Sequence, residues 1–157
     1  MKTIMLKKLC EYPEFCEKAA HWFSQKWDIP VEAYQESIQK CIEQKTGIPQ
    51  WYIVLDDKEK IIAGAGIIDN DFHDRKDLSP NLCALFVEEQ YRKQGIAKDI
   101  LNFARKELGT MGFEKLYLVT DHTEFYEKCG WNFLTTVNDD EGDSIRMYIA
   151  STLYSIS

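Results

Sequence analysis

Residues 82–97 carry the side chains and spacing best suited to gripping an anion. Leu82-Cys83-Ala84-Leu85-Phe86-Val87 is an apolar run of strand length, and Ala97, Ile100, Leu101, Ala104 and Leu108 recur at helical spacing. Between them lies a short polar connection, Glu88-Glu89-Gln90-Tyr91-Arg92-Lys93-Gln94-Gly95-Ile96. Arg92 and Lys93 bring positive charge, while Gly95 and Ala97 remove side-chain bulk at the mouth of the helix. A helix start presents unpaired N–H groups and the positive end of the macrodipole, which together suit a pyrophosphate. The plainer alternative is a strand-to-helix connection with a basic surface.

Other chemistry-bearing residues form weaker constellations. Cys83 lies in the apolar run and Cys129 at a helix end, and no spacing ties either to a histidine as a nucleophile–base pair would require. His21, His73 and His122 show no metal-ligand spacing, so no metal is expected. Gly64-Ala65-Gly66 resembles a dinucleotide fingerprint, but no helix follows it. Glycines inside a strand more often mark a close approach or a bulge.

These residues sit in a chain of 157, which reads as one domain, 1–157, large enough to bury a full core. The formal charge of −7 argues against a nucleic-acid partner and fits a cationic or neutral substrate. No apolar run has the length of a membrane span, and the N-terminus lacks the apolar core of a signal peptide. The five cysteines form no framework, which predicts reduced thiols and a cytoplasmic location.

The elements that must position the turn read in order as follows. A first strand covers 3–9; a helix begins near Pro13 and runs to about Trp27; a second, from Pro30, carries Val31, Tyr34, Ile38, Cys41 and Ile42 on one face. Tyr34 and Trp27, near the break between the helices, are core residues or the wall of a pocket. Trp51–Leu55 and Ile61–Ile68 form a hairpin, and the fourth strand runs from about Pro80 to Val87. The central helix covers about 95–109, and Lys115–Thr120 is the fifth strand. Asp121 with Glu124 spells a capping box for a short helix stopped by Gly130, and a final hairpin spans Trp131–Val137 and Ile145–Ala150. The expected fold class is α/β, an α+β mixed sheet in the order β-α-α-β-β-β-α-β-α-β-β with helices on its faces.

With that order in place, the chain resembles the GNAT family of acyl-CoA-dependent N-acetyltransferases over its whole length. Arg92-Lys93-Gln94-Gly95-Ile96-Ala97 after Leu85-Phe86-Val87 is similar to the family's pyrophosphate motif, with Ala97 in place of its final Gly. Phe125-Tyr126-Glu127-Lys128-Cys129-Gly130-Trp131 is similar to a second family segment. Residues 20–34 with Thr120-Asp121-His122 resemble a bacterial branch labelled as antibiotic acetyltransferases. An Asn that many members carry after the fifth strand has no counterpart here.

The resemblance implies a sheet splayed between strands 4 and 5 and transfer of the acetyl group of acetyl-CoA, as cosubstrate, to a small-molecule amine. Leu85, Phe86 and Val87 would line the cofactor, with the backbone of Leu85 and Val87 pairing with its pantetheine arm. Backbone N–H groups of Gln94, Gly95, Ile96 and Ala97 would hold the pyrophosphate beside Arg92 and Lys93. The N–H of Val87 would stabilise the oxyanion, and Tyr126 stands where the family places the acid that protonates the leaving thiolate. The ammonium must first lose a proton, for which Glu88, Asp121 and His122 are the candidates, with Asp69 behind them and no means of choosing. Two acid-rich loops, 69–77 and 138–143, would favour a cationic acceptor such as an aminoglycoside or polyamine. A peptide amine as acceptor, a non-catalytic acyl-CoA sensor and a homodimer are the other readings that this pattern admits.

Overall fold

The buried glycines show how the chain spends its apolar residues. A Cβ on Gly64 would lie 2.7 Å from the Phe23 ring, and one on Gly66 would lie 2.4 Å from the Trp51 ring. The glycines of the false nucleotide fingerprint are therefore where two aromatic side chains press against a strand. Phe23 stacks on Tyr34 at 5.5 Å and meets the edges of Trp22 and Trp51, each at 5.0 Å. Tyr34 is thus part of the core. Phe23 is fully buried, so Phe23→Ala would cost roughly 3–5 kcal/mol.

A computed structural model of the chain describes residues 4–153, so the expectation of strand at residue 3 lies outside the described residues. Among the described residues, seven strands are hydrogen-bonded in the order β1-β2-β3-β4-β5-β7-β6: β1 Met5–Lys8, β2 Gln50–Leu55, β3 Ile61–Ile68, β4 Asn81–Val87, β5 Lys115–Thr120, β6 Asn132–Asn138 and β7 Ser144–Ser151. The helices are α1 Cys16–Trp27, α2 Val31–Gln44, α3 Ile96–Thr110 and α4 Glu124–Lys128. Parallel β4–β5 and antiparallel β1–β2, β5–β7 and β6–β7 pairs make the sheet mixed. No helix among the described residues is long and apolar enough to cross a membrane.

The chain packs as two compact units. The first holds residues up to Gly66 and Ala84–Ile100. Every residue of β2 is buried, and so are the first seven of β3, which explains their lack of polar alternation. Both helices end on left-handed residues, Asp28 at φ 53° and Lys45 at φ 61°. The first turn of α3 is seated by a cluster of Val54, Ile62, Ala63, Ala65, Val87, Tyr91, Ile96 and Ile100. Tyr91 belongs to a 3-10 turn, Glu89–Tyr91, inside the segment read from sequence as a plain connection.

The second unit holds Ile67–Cys83 and Leu101 onward. Its C-terminal segment is strapped to α3: Arg105 Nε donates to Ser151 C=O at 2.8 Å and Leu153 N–H to Arg105 C=O at 3.0 Å. The two acid-rich loops are joined here. Asn138 N–H and Nδ2 donate to the Asp74 carboxylate at 3.0 and 3.2 Å, and His73 pairs with Asp139 as an isolated bridge. His73 is buried; its Nδ1 accepts from Arg75 N–H at 3.1 Å, which leaves the ring proton on Nε2 facing Asn81 Oδ1.

Beside this knot, burial pushes the Asp71 carboxyl up to about 6. A carboxyl raised on folding contributes stability at low pH that is lost as pH rises through the folded value. Asp71→Asn is therefore expected to raise the melting temperature at pH 8, with the gain fading by pH ~4, where both side chains are neutral. Thermal melts across that range check it; a gain that does not vary with pH would assign the effect to something other than charge.

Candidate active site

The connection after β4 has a backbone whose N–H groups could accept an anion. Lys93 (φ 64°) and Gly95 (φ 81°) both adopt left-handed backbone, the kind of turn that fans successive N–H groups into a concavity. The helical ladder of α3 opens with Asp99 N–H donating to Gly95 C=O at 3.0 Å, so the N–H groups just before it are the orphans of a first turn. A Cβ on Gly95 would meet no atom within 4 Å, and Gln94 and Lys93 are exposed. Ile96, by contrast, is buried in the cluster that seats the helix, and Ala97 packs against it. The turn is thus anchored on one side and open on the other.

Arg92 does more than add charge. Its Nε donates to Val87 C=O at 2.9 Å and its guanidinium lies 5.3 Å from the Phe86 ring centroid. One arginine therefore fixes the end of β4 relative to the turn. Earlier in the strand, Ala84 has left-handed backbone (φ 55°), and its carbonyl accepts from Trp27 Nε1 at 3.2 Å. The structure thus brings together Leu85, Phe86, Val87, Glu88 and Arg92 through Ala97 in the first unit.

Glu88 is the most tightly held of the candidate bases. Its Oε1 lies 2.7 Å from Lys26 Nζ and its Oε2 accepts from Trp22 Nε1 at 3.2 Å. Lys26 Nζ also lies 5.1 Å from the Phe86 centroid and 5.7 Å from that of Trp22. Lys26 and Trp22 were not read from sequence as site residues: they are 62 and 66 residues away from Glu88, and helical periodicity marks Trp22 only as core. Trp27 stands at the rim, 42% exposed.

The remaining candidates lie in the second unit. The expected capping box at Asp121 and Glu124 does not form: α4 starts at Glu124, its N-cap is Thr123, and no side chain caps it. The reason is local. Thr120 Oγ1 accepts from His122 N–H at 2.9 Å, a turn that holds 120–122 out of helical conformation. Asp121 and His122 are both exposed. Tyr126 is buried, with Phe125, Trp131 and Tyr148 around its ring at 5.1–6.4 Å. Burial pushes its phenol up to about 12, with the neighbouring Cys129 adding to the rise and a hydrogen bond with Thr120 working against it. The rival nucleophiles, Cys83 and Cys129, are buried and in no disulfide, a setting for inert thiols.

Of the eight acids in the two loops, at least three are engaged in building them. Asp74 holds Asn138, Asp77 pairs with Arg75 at 2.7 Å, and Asp139 Oδ1 accepts from Glu141 and Asp143 N–H, each at 2.9 Å.

Comparison with known proteins completes the picture. A family model described as the GNAT acetyltransferase domain matches residues 49–132, more than half of the chain. No curated protein sequence matches significantly. Among solved structures, an aminoglycoside 6'-N-acetyltransferase complexed with coenzyme A superposes with a TM-score of 0.67 at 16% identity, over 98% of this chain and 99% of that one. An acetyltransferase of the GNAT family from Staphylococcus aureus Mu50 gives 0.62 at 17% identity, over 98% and 100%. A variant of the spermidine N-acetyltransferase of Vibrio cholerae gives 0.65 at 12% identity, over 96% and 94%. At these identities the likeness is one of fold, whereas the family model reaches the sequence itself, covering β2 through α4 and with them the turn at Lys93–Gly95. The chain belongs to the GNAT family of acetyltransferases, enzymes that use acetyl-CoA to acylate an amine.

Proposed function

We propose that the protein transfers the acetyl group of acetyl-CoA to a primary amine of a small cationic molecule by direct attack on the thioester. The observation that carries this reading is the turn at Lys93–Gly95, open toward solvent and tied by Arg92 to the end of β4. Backbone N–H groups of Gln94 to Ala97 hold the pyrophosphate, with Arg92 and Lys93 adding charge. The backbone of Leu85, Phe86 and Val87 lines the acyl-carrying arm, and the Val87 N–H stabilises the oxyanion.

In the reaction the neutral amine nitrogen attacks the thioester carbon. A C–N bond forms, the C–S bond breaks, and the electron pair leaves on sulfur. The amine proton passes to a base among Glu88, Asp121 and His122, and the Tyr126 hydroxyl donates to the sulfur as the thiolate leaves. Glu88 is the base we favour, because two donors fix its carboxylate while Asp121 and His122 are exposed. The cationic acceptor agrees with the net charge of −7 and with the acid-rich loops, and structural neighbours include enzymes named for an aminoglycoside and for spermidine.

The test is release of free CoA from acetyl-CoA with a panel of primary amines. Cationic amines are expected to release CoA faster than uncharged ones. Arg92→Ala is expected to raise KM for acetyl-CoA by about tenfold, with backbone donors still present. Binding of acetyl-CoA with no release for any amine would instead make the protein an acyl-CoA sensor.

A further inference from the structure

Lys26 places a primary alkyl ammonium in surroundings suited to recognising one. Its Nζ has a carboxylate oxygen at 2.7 Å and two aromatic ring centroids, Phe86 and Trp22, at 5.1 and 5.7 Å. A carboxylate with aromatic faces around it is the general chemistry of ammonium recognition. The carboxylate is fixed independently of the lysine, because Trp22 Nε1 donates to its other oxygen at 3.2 Å. Trp22 and Phe86 also hold one another edge to face at 5.9 Å. The walls of the site therefore do not depend on Lys26.

The lysine itself is a replaceable occupant. The side chains of Lys26 and Glu88 are 22% and 23% exposed, and a partly exposed ion pair adds little to stability. A lysine ammonium on its flexible four-carbon stem can move to water. Glu88 directly follows Val87, the last residue of β4, so this site adjoins the acyl-arm segment in sequence.

We propose that Trp22, Phe86 and Glu88 form the ammonium subsite for the acceptor and that Lys26 occupies it as an internal competitor. Lys26 is then a specificity-determining residue: an incoming primary ammonium must displace it, and a neutral acceptor gains nothing by doing so. The inference rests on the acetyltransferase reading for the identity of the ligand, but its test does not require turnover.

Each protein is titrated with n-butylammonium chloride and with n-butanol while the Trp22 indole N–H resonance, assigned by its loss in Trp22→Phe, is followed by NMR. Butylammonium is expected to shift that resonance saturably and butanol is not. Lys26→Ala, and Lys26→Gln as a second variant that keeps the stem, are expected to bind butylammonium about tenfold more tightly, because the competitor is gone. Glu88→Gln is expected to bind it about tenfold more weakly. Amide dispersion in each spectrum confirms folding. Unchanged affinity in both folded Lys26 variants, or an equal response to butanol, would overturn the subsite. CoA release with a cationic amine but no Trp22 response would overturn the subsite and leave acetyl transfer standing. Tightened binding in the Lys26 variants with no CoA release from any amine would support the subsite and overturn acetyl transfer.

Discussion

Calorimetric titration of Gly95→Glu with CoA is expected to show no saturable heat, against clear binding by the parent protein. Two effects add. Gly95 has φ 81°, where an L side chain costs roughly 1–2 kcal/mol. A Cβ there meets no protein atom within 4 Å, so the new side chain enters the open space beside the turn, where we place the pyrophosphate. A carboxylate in that position opposes the phosphate charges instead of the N–H groups attracting them. Gly95→Ala separates the two, because it carries the strain without the charge and is expected to weaken binding by about tenfold at most. Thermal melting of both variants gives the strain alone. If Gly95→Glu bound CoA with the parent affinity, the pyrophosphate would have to lie elsewhere and the reading of residues 92–97 would fall with it.

The elements that position this turn were legible because their signals are local. The apolar spacing of Ala97, Ile100, Leu101 and Ala104 marks a helix, and the strand at Lys115–Thr120 matches its reading residue for residue. Gly64 and Gly66 announced a close approach, although the sequence could not say that Phe23 and Trp51 would make it. Three features escaped. A capping box at Asp121 and an ST turn at Thr120 use the same few polar residues, and which one forms depends on how Thr120 and Tyr126 are placed by the sheet and core. The Lys26–Glu88 pair joins α1 to the end of β4, and nothing in the neighbourhood of either residue specifies so distant a partner. The left-handed Ala84 was likewise invisible, since alanine carries no preference for that conformation.

Tyr126→Phe is expected to lower kcat by about 10²-fold, close to 2.7 kcal/mol of barrier, while KM for acetyl-CoA moves by less than about threefold. The position of its pKa decides what kind of acid Tyr126 can be. With the phenol pushed up to about 12, complete transfer to a thiolate whose acid has a pKa of about 8.5 is uphill by some 3.5 units, close to 5 kcal/mol. On the proposed reading, Tyr126 would act as a hydrogen-bond donor to the sulfur as charge develops, and the proton need not move fully before the bond breaks; removing one such donor costs about 10²–10³ in rate. The same value fixes the pH profile. The phenol keeps its proton through the assay range, so the parent kcat is expected to show no basic limb from Tyr126 below pH ~11, and Tyr126→Phe lowers the profile without changing its shape. Thr120→Ser serves as the packing control, because it trims the residue beside Tyr126, keeps the hydroxyl that accepts from His122 N–H and leaves the phenol in place. The two variants are expected to lose similar stability, about 1 kcal/mol each, and to differ sharply in kcat. Equal losses of kcat in both, with rapid-quench kinetics showing chemistry to be rate-limiting, would reduce Tyr126 to a buried ring held by Phe125, Trp131 and Tyr148.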